Sequence, residues 1–511
     1  MTRLIRTVAA VLGVALGPVV PGAAASTASW AGGASTDTWS NAVDWSGGGA
    51  PSGSVDQLLL PAPAPSCVRW QCRYGIDDIP SLTVGTLQIN SGASYLVRPL
   101  DPTNQLVLLN GLSFSGATGT ASNRLLTRLL VPINLGASQT WSAAGLSGTP
   151  TQLTLGAVTG EADALTLQLS NGVLLLAPEL DTGPLTISGD GTVSLASQRT
   201  EPADGLPADA QPLIGSQGVV LSHDASLRIA APYSVSGSIT VAPGSYSTLE
   251  IGHGAAPEGT VLVQSDLTLR ARSTLQLWID HAEHTGPPVP STDYSQLNAF
   301  GTVNLGGASL DLSQGYAVNG PRCTPLKAGQ VYTLVSATKL VGTFAGVGNG
   351  QVVPIGACDP LSTGNTYEAI INYQTRGGRQ TVTARIVGPT QVQHLVAQSL
   401  AISHSAATLF NVTTRDGYRA TFNAPTAGAL TLSWTAAVGA GELTVATGSA
   451  TTRGIEQRHV ALTLTAAGRR LLMRSRGPLR LTARATFTPT TTSLLKHGQA
   501  AVHASANVTL S

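Results

Sequence analysis

The chain has 511 residues, of which only 11% are charged and 42% are hydrophobic, and its formal net charge is +1. Average soluble domains carry about 25% charged residues, and helix surfaces rely on Glu, Lys and Arg, so this composition argues against a mostly helical protein. The small net charge excludes a global electrostatic attraction to nucleic acid or to anionic lipid.

The first 25 residues have the pattern of a secretory signal peptide. Arg3 and Arg6 form a positive n-region, and Val8 to Val20 form a short apolar h-region. Small residues then precede the bond between Ala25 and Ser26, where we expect cleavage. A membrane anchor is the weaker alternative, because two prolines interrupt the run and it is too short to span a bilayer. No later stretch is long and apolar enough to cross a membrane, so we expect a secreted protein.

Two tryptophans stand out in the next segment, WSNAVDWSGGGAPSGSVDQLLLP. Trp39 and Trp45 precede a glycine run, and Asp56 precedes an apolar burst that is typical of a strand. The first layer of a stack of strands has no neighbour on one side and needs a cover. We therefore predict that residues 26–80 form a cap, over which both rings fold. The alternative is a carbohydrate contact, which requires Trp39 and Trp45 to be exposed and coplanar.

Residues 81–390 contain repeated strand signals. Short alternating runs such as LTLQL at 165–169, SLRIA at 226–230 and TLQLWI at 274–279 are separated by Gly, Ser, Asn or Pro. Alternation with period two is typical of strands, and no window of this region has a convincing helical period. A string of β-sandwiches and a β-solenoid both fit such a pattern. The lack of obvious linkers favours one continuous solenoid.

Three segments near the end of this region resemble the last coils of β-helical autotransporter passenger and adhesin-like surface proteins. They are DYSQLNAFGTVNLGGASLDLS at 293–313, AGQVYTLVSATKLVGTFAGV at 328–347 and YEAIINYQTRGGRQTVTARI at 367–386. The tryptophan-containing opening resembles the entry segment of the same proteins, with Asp44 where that pattern usually has Asn. Across residues 37–386 the resemblance implies a right-handed parallel β-helix. The shared motifs are structural and imply no catalytic residue.

Four cysteines form two local pairs, Cys67 with Cys72 and Cys323 with Cys358. In an exported chain, a disulfide framework is the first interpretation of such pairs. Closing the longer loop should stabilise the fold by about 3–4 kcal/mol in the chain-entropy model. A zinc site is the alternative, which the lack of a histidine close to these cysteines disfavours.

The chain changes character after residue 390. Residues 391–417 form a linker in which we predict a short helix, and six or seven alternating strands follow in 418–511. That number is expected of an immunoglobulin-like β-sandwich. The run LTLTAAGRRLLMRSRGPLRLTARATFTP resembles a small C-terminal β-sandwich module that recurs behind exported domains of high-G+C bacteria. This interpretation puts Trp434 and Phe487 in the core, and AAGRRLL in a turn or a single helical turn between two strands.

Few ionisable residues are grouped in a way that suggests chemistry. His281, Glu283 and His284 lie between a strand signal and a Pro-rich loop, so we predict a solvated loop rather than a metal site. Asp77 and Asp78 could bind calcium as a pair or act in glycoside cleavage. Adjacent residues of a strand point to opposite faces, however, so a turn is favoured over a calcium site.

Arginines gather in the last module, where we favour a solvated face over contact with nucleic acid or with an anionic wall polymer. They are Arg469, Arg470, Arg474, Arg476, Arg480 and Arg484.

The sequence thus predicts an all-β protein, a right-handed parallel β-helix (a solenoid) followed by an immunoglobulin-like β-sandwich. We expect a secreted, non-enzymatic, adhesin-like or structural protein of the cell surface or extracellular matrix, without cofactor or bound metal. Its expected partners are surface or matrix glycans or proteins, and we expect no nucleic-acid partner and release or non-covalent attachment. The alternative is a polysaccharide lyase or glycoside hydrolase, or a carbohydrate-binding protein, on the same β-helix. An enzyme would need several carboxylate, Arg or Lys side chains that converge in one groove.

Overall fold

A computed structural model describes most of the chain from Ser26 onward. The described residues are 26–32, 37–62, 74–91, 95–116, 125–160, 162–195, 213–214, 217–230, 233–252, 259–279, 287–290, 293–314, 326–356, 367–387, 389–400, 408–439, 441–454, 456–475, 477–490 and 501–510. Within them the secondary structure is almost entirely β, so the expected all-β class is confirmed for this part of the chain.

The first 31 strands form one sheet in which most strands pair with the strand three positions further along the chain. Three parallel ladders result, which we call A, B and C, and one strand from each ladder makes a layer.

Ladder A contains β3 (Tyr74–Asp77), β5 (Leu96–Pro99), β7 (Leu125–Leu129), β10 (Thr151–Leu155), β13 (Leu174–Ala177), β16 (Thr192–Leu195), β19 (Ser226–Ile229), β22 (Thr248–Ile251), β25 (Thr274–Ile279), β27 (Ser309–Gln314) and β29 (Gln351–Gly356). Ladder B contains β8 (Ile133–Leu135), β11 (Val158–Gly160), β14 (Leu180–Thr182), β17 (Leu213–Ile214), β20 (Ser234–Val235) and β23 (Gly259–Val263). Ladder C contains β1 (Thr27–Ser29), β2 (Ser54–Leu60), β4 (Ser81–Ser91), β6 (Gln105–Gly116), β9 (Gln139–Ala144), β12 (Leu165–Ser170), β15 (Leu185–Gly189), β18 (Val219–His223), β21 (Ile239–Val241) and β24 (Leu267–Thr268).

Two long strands, β26 (Ser295–Asn304) and β28 (Val331–Val341), continue ladders B and C together. β6 also belongs to both ladders, because its first part pairs with β8 and its last part with β9.

Aliphatic side chains stack in register on the inner side of the ladders. In ladder A, Val193, Leu227, Leu249 and Leu275 are register partners in four successive strands. All four are fully buried. Because successive residues of a strand point to opposite faces, the alternating sequence puts one apolar side chain inward at every second position. Burying each such side chain stabilises the fold by about 1.5–3 kcal/mol, so the repeated stack forms the main core.

The outer side of the ladders is mostly polar and uncharged. On ladder C, five threonines occupy one outward column of register partners, interrupted by Val220. They are Thr140, Thr166, Thr186, Thr240 and Thr268. This surface explains how a chain with so few charged residues keeps a polar exterior.

An antiparallel hairpin ends the parallel ladders. β30 (Tyr367–Arg376) pairs with β29, β31 (Arg379–Ile386) pairs with β28, and the two strands pair with each other. The guanidinium of Arg379 donates to Asn298 Oδ1 at 2.6 Å and to Ser336 Oγ at 2.8 Å. The hairpin therefore satisfies strand edges that would otherwise be open.

The C-terminal part consists of helices and a second, antiparallel sheet. Its elements are α1 (Pro389–Gln398), α2 (Leu409–Thr414), β32 (Gly417–Ala424), β33 (Gly428–Val438), β34 (Gly441–Thr452), β35 (Glu456–Leu464), α3 (Ala466–Arg474), β36 (Leu479–Pro489) and β37 (Val502–Leu510). The strand order is β32-β35-β34-β33-β36-β37.

This second sheet curls over its own core. The rings of Phe422 on β32 and Phe487 on β36 lie 5.2 Å apart, although three strands separate β32 from β36 in the sheet. Tyr418 and Trp434 lie 5.5 Å apart in the same way. Trp434 and Phe487 are both buried, as the sequence predicts.

Two local predictions differ from the structure. The segment after residue 390 contains two helices, α1 and α2, rather than one. The run AAGRRLL lies in a nine-residue helix, α3, which is longer than the predicted single turn. Thr465 caps this helix by accepting a hydrogen bond from the Gly468 amide at 2.9 Å, and Ala, Arg and Leu then favour its extension.

Gly189 provides a test of the close packing between layers. Its φ is 102°, and a Cβ at this position would collide with the carbonyl oxygen of Leu169 on β12, the preceding strand of ladder C. We expect Gly189→Ala to lower the free energy of unfolding by about 2 kcal/mol or more, because steric collision adds to backbone strain.

Gly172→Ala is the matched control. Gly172 has a φ of 63°, but a Cβ added there would have no other atom within 4 Å, so only the backbone strain of about 1–2 kcal/mol applies. Urea denaturation of residues 26–511 followed by circular dichroism measures both variants. Equal losses of stability would contradict the packing of β15 on β12.

Candidate functional site

The outer side of ladder A carries a row of polar and aromatic side chains on four successive strands. Arg228 on β19, Glu250 on β22, Gln276 on β25 and Asp311 on β27 are register partners. Trp278 follows two residues after Gln276 and therefore lies on the same side of β25. These five residues form the ladder A cluster.

Glu250 is the centre of the ladder A cluster. Its Oε2 accepts a hydrogen bond from Arg228 Nε at 2.7 Å, and its Oε1 accepts one from the indole Nε1 of Trp278 at 3.0 Å. Although it lies on the outer side, Glu250 is only 6% exposed, whereas Arg228 and Trp278 are partly exposed. A single buried carboxylate thus fixes a guanidinium and an indole ring on neighbouring strands.

The remaining members of the ladder A cluster extend it toward β27. Gln276 Nε2 donates to Ser313 Oγ at 3.3 Å, and Asp311 is exposed on the same strand as Ser313. The backbone N–H of Trp278 donates to the buried Ser295 Oγ at 2.7 Å, which anchors the end of β25. The arrangement can offer a ring face, a guanidinium edge, an amide and a carboxylate to one bound molecule.

Trp39 and Trp45 lie inside the protein. Trp39 is 0% exposed and Trp45 is 2% exposed, and their rings meet edge to face at 75° with centroids 5.9 Å apart. The indole Nε1 of Trp45 donates to the Trp39 carbonyl at 2.7 Å, and Trp30 packs on Trp45 with an interplanar angle of 77°. Neither Trp39 nor Trp45 offers the exposed, coplanar face that stacking on a sugar requires, because both rings pack into this aromatic cluster.

The same aromatic cluster lies beside the first strand of ladder A. The Trp39 amide donates to the Ile76 carbonyl at 2.9 Å, and the Ile76 amide donates to the Asp37 carbonyl at 2.8 Å. The Trp30 amide donates to the Leu59 carbonyl at 2.9 Å on ladder C. The segment around Thr38 therefore adds one more backbone partner to the end of ladder A.

The carboxylates of Asp77 and Asp78 have different environments. Asp77 is fully buried, and burial, with a smaller contribution from Asp78, raises its pKa to about 7. Asp78 instead accepts hydrogen bonds from the Ser40 amide at 2.8 Å and from the Ser40 hydroxyl. Asp77 is the last residue of β3 and Asp78 lies beyond the strand, where the Ile79 amide donates to Asp77 Oδ1 at 3.0 Å. Within the described residues, no group of three or more His, Cys, Asp or Glu could hold a metal ion.

Several predicted residues lie outside the described part of the chain. They are Cys67, Cys72, Cys323, Cys358, His281, Glu283, His284 and Arg476.

The described arginines of the C-terminal module lie on its surface. Arg484 makes two hydrogen bonds with Glu442 at 2.7 and 2.8 Å, and Arg469 pairs with Asp416. Arg470, Arg474 and Arg480 are exposed. Exposed pairs of this kind contribute about 0–1 kcal/mol, so they add little to stability.

Glu368 is a buried acid where the two sheets meet, and the sequence does not reveal it. Ala369 and Ile371 of β30 point into the main core, so Glu368 and Ile370 lie on the opposite side of the strand. Ile370 on that side belongs to the C-terminal core, together with Val392 of α1. Glu368 is 7% exposed and its Oε2 has no hydrogen-bond partner. Burial raises the pKa of Glu368 to about 8. A lone acid in an alternating strand gives no sequence signal that its outer side is covered.

Comparison with known proteins adds no relative. No family model, no curated protein and no solved structure matches the chain.

The helices of the described segments include none that is both long and apolar enough to span a bilayer.

The raised pKa of Glu368 predicts a loss of stability as the pH rises. Its folded pKa of about 8 exceeds the ordinary value of 4.5, so the folded state binds the extra proton between these values. The contribution of Glu368 to stability is therefore greatest below about pH 4.5 and is lost as the pH rises through 8. Glu368→Gln removes this dependence, and we expect the variant to gain roughly 1 kcal/mol or more over the wild type at pH 9 relative to pH 5.

Thermal unfolding of residues 26–511 across this pH range measures the difference. Glu442→Gln, which changes an exposed acid, is the control and should track the wild type apart from a small constant offset. A pH-independent difference between Glu368→Gln and the wild type would contradict the raised pKa.

Proposed function

We propose that this chain is a secreted, non-enzymatic, adhesin-like or structural protein of the cell surface or extracellular matrix. In this proposal, residues 81–390 form a right-handed parallel β-helix and residues 418–511 form an immunoglobulin-like β-sandwich. The observation that carries the proposal is the regular pairing, from β7 to β26, of most strands with the strand three positions on. Such pairing makes an elongated scaffold in which each layer contacts mainly its neighbours.

The packing of the C-terminal sheet supports the sandwich interpretation. Contacts between Phe422 and Phe487 join strands that are far apart in the sheet order, as facing sheets of a sandwich require. The six antiparallel strands also agree with the small number expected of such a module.

The contacts of Ser26 support cleavage after Ala25. The Ser26 backbone nitrogen donates to Asp56 Oδ2 at 2.6 Å, and its hydroxyl donates to the same oxygen at 3.0 Å. Cleavage would turn this amide into an α-ammonium group, which makes a stronger, charge-assisted hydrogen bond with a carboxylate. The Ser26 carbonyl in turn accepts from the amides of Asp56 and Gln57.

The outer surface supports adhesion rather than catalysis. The threonine column of ladder C offers repeated hydroxyl groups at the strand spacing of about 4.8 Å, which suits many weak contacts with an extended partner. The ladder A cluster contains two carboxylates, those of Glu250 and Asp311. Both oxygens of Glu250 already accept hydrogen bonds, so Glu250 is poorly placed as a general acid or base.

One observation supports the alternative of a carbohydrate-binding protein, namely the ladder A cluster. An aromatic ring beside planar polar groups suits a saccharide, which has apolar ring faces and hydroxyl edges. This alternative differs from the leading proposal only in the nature of the partner.

Binding and hydrolysis assays test the proposed function together. Purified residues 26–511 should bind whole bacterial cells or isolated matrix and release no new reducing ends from cell-wall or matrix polysaccharides. Serum albumin is the negative control for binding. New reducing ends would overturn the non-enzymatic proposal, and a lack of binding to cells and matrix alike would overturn adhesion.

The mature N-terminus tests secretion and cleavage. We expect the protein recovered from culture medium to begin at Ser26, because its contacts with Asp56 hold the new terminus. N-terminal sequencing by mass spectrometry measures this. Retention of the full chain in the cell, or a start well inside β1, would contradict the proposal.

A further inference from the structure

We infer that the ladder A cluster is a binding site for a neutral saccharide, with the ring of Trp278 as its stacking face. The inference deepens the proposed function, because it assigns a partner class and a site to the adhesin-like surface. It rests on the contacts of Glu250, Arg228 and Trp278 rather than on any property of the whole chain.

The position of Glu250 is unusual for an acidic residue. Thr154 and Ser194 lie in the same outward column of ladder A and are also buried, but their side chains are uncharged, whereas carboxylates are almost never fully buried unless they are paired. Glu250 is nevertheless 6% exposed, because Arg228 on one side and Trp278 on the other cover it. Burying an ion pair is weak evidence of a gain in stability, since desolvation offsets the attraction. Positioning of the two covering groups is a better explanation of the arrangement.

The contacts of Glu250 fix two planar groups. The Trp278 indole is held through its only donor, and the Arg228 guanidinium is held through Nε. Side chains that are locked before binding lose less conformational entropy when a ligand arrives. The cluster therefore has the preorganisation that weak saccharide contacts require.

The surroundings of Trp278 match the two kinds of surface on a sugar. Its ring can pack against the apolar C–H face, as aromatic rings do in ligand sites. Gln276 and the exposed Asp311, on the same outer side, can exchange hydrogen bonds with hydroxyl groups at the sugar edge. Adjacent strands lie about 4.8 Å apart, so these groups are spaced within the dimensions of one or two sugar rings.

The charge of the cluster selects a neutral ligand. The Glu250 carboxylate balances the Arg228 guanidinium at 2.7 Å, and Asp311 leaves one negative charge on the same face. Among the described residues, Arg272 precedes β25 and lies over the ring of Tyr246, with its guanidinium carbon 5.3 Å from the ring centroid. Arg272 is four residues from Gln276 and six from Trp278 along the chain, or about 13 and 20 Å. A uronic acid or a sulfated sugar would therefore meet repulsion at the cluster.

A glycan array followed by titration tests the inference. Residues 26–511 are applied to an array of neutral gluco-, xylo-, manno- and chito-oligosaccharides and of acidic uronic-acid oligomers. We expect binding to at least one neutral series and weaker binding to the acidic ones. In calorimetric titration with the neutral oligosaccharide that binds most tightly, we expect the affinity of Trp278→Ala to be about tenfold or more below that of the wild type.

Two further variants separate a binding role from a structural one. Trp278→Phe keeps a ring but loses the donor to Glu250, so we expect intermediate affinity. Glu250→Gln can still accept from the indole but leaves Arg228 without a counter-charge, so we expect weaker binding of the neutral sugar and a relative gain for acidic sugars. A merely structural role of Glu250 would not produce that change of preference.

Gln168→Ala, an exposed residue on ladder C, is the matched control and should bind like the wild type. Circular dichroism and the Tm establish that each variant is folded. Unchanged affinity of Trp278→Ala and Trp278→Phe, preference of the wild type for acidic sugars, or binding to no sugar on the array would each overturn the inference. Cell or matrix binding that persists in those cases would leave the proposed adhesin-like function standing, so the two failures are distinguishable.

Discussion

The vertical register of inward aliphatic side chains is the constraint on which the rest of this structure depends. Each layer is too small to bury its own apolar side chains, and Leu227 is covered from below and above by its register partners Val193 and Leu249. Parallel pairing keeps identical positions aligned from layer to layer, so one residue type can fill the same place repeatedly. Backbone hydrogen bonds between layers and apolar contacts within the stack therefore support one another. A shift of one residue in any strand would turn its apolar side chains outward and lose both.

A stack of this kind has two ends, and the structure closes them in different ways. At the first end, Trp30, Trp39 and Trp45 pack edge to face and remove large ring surfaces from water. At the other end, the hairpin of β30 and β31 reverses the strand direction and pairs with the last strands of ladders A and B. The segments at the first end, such as the three-residue β1, are short, and packed aromatic rings cover that end without a long strand. The hairpin, by contrast, leaves a new outer surface on β30. That surface is covered by the C-terminal core, which explains why Glu368 is buried there.

The strands and the inward or outward position of most residues could be predicted from the sequence, because alternation with period two is local. Runs such as SLRI and TLQLWI carry this signal by themselves. The pairing of strands three apart could not be derived from the residues alone, since the segments between strands vary in length and no strict repeat marks the layers. The predicted cap around Trp39 and the alternative of an exposed ring pair differ only in what packs on the rings, which depends on Trp30 and on the backbone near Ile76. The environments of Glu250 and Glu368 were likewise hidden, because each depends on side chains from distant parts of the chain.

Inward residues of each strand pack in the core, whereas outward residues are freer to change, so a binding site can evolve on the outer side. Inward positions are held by the stack, so Leu249 and Ile251 cannot change without loss of core packing. Outward positions between them do not contribute to this core packing, and Glu250 occupies one of these positions. The Glu250 carboxylate is buried and accepts two hydrogen bonds, so it departs from the pattern of neutral Thr, Ser and Gln side chains found on ladder C. Departures from a consistent local rule are expected where function, rather than folding, determines the residue. The contacts of Glu250 with Arg228 and Trp278 are therefore the basis on which we propose a saccharide site at this position.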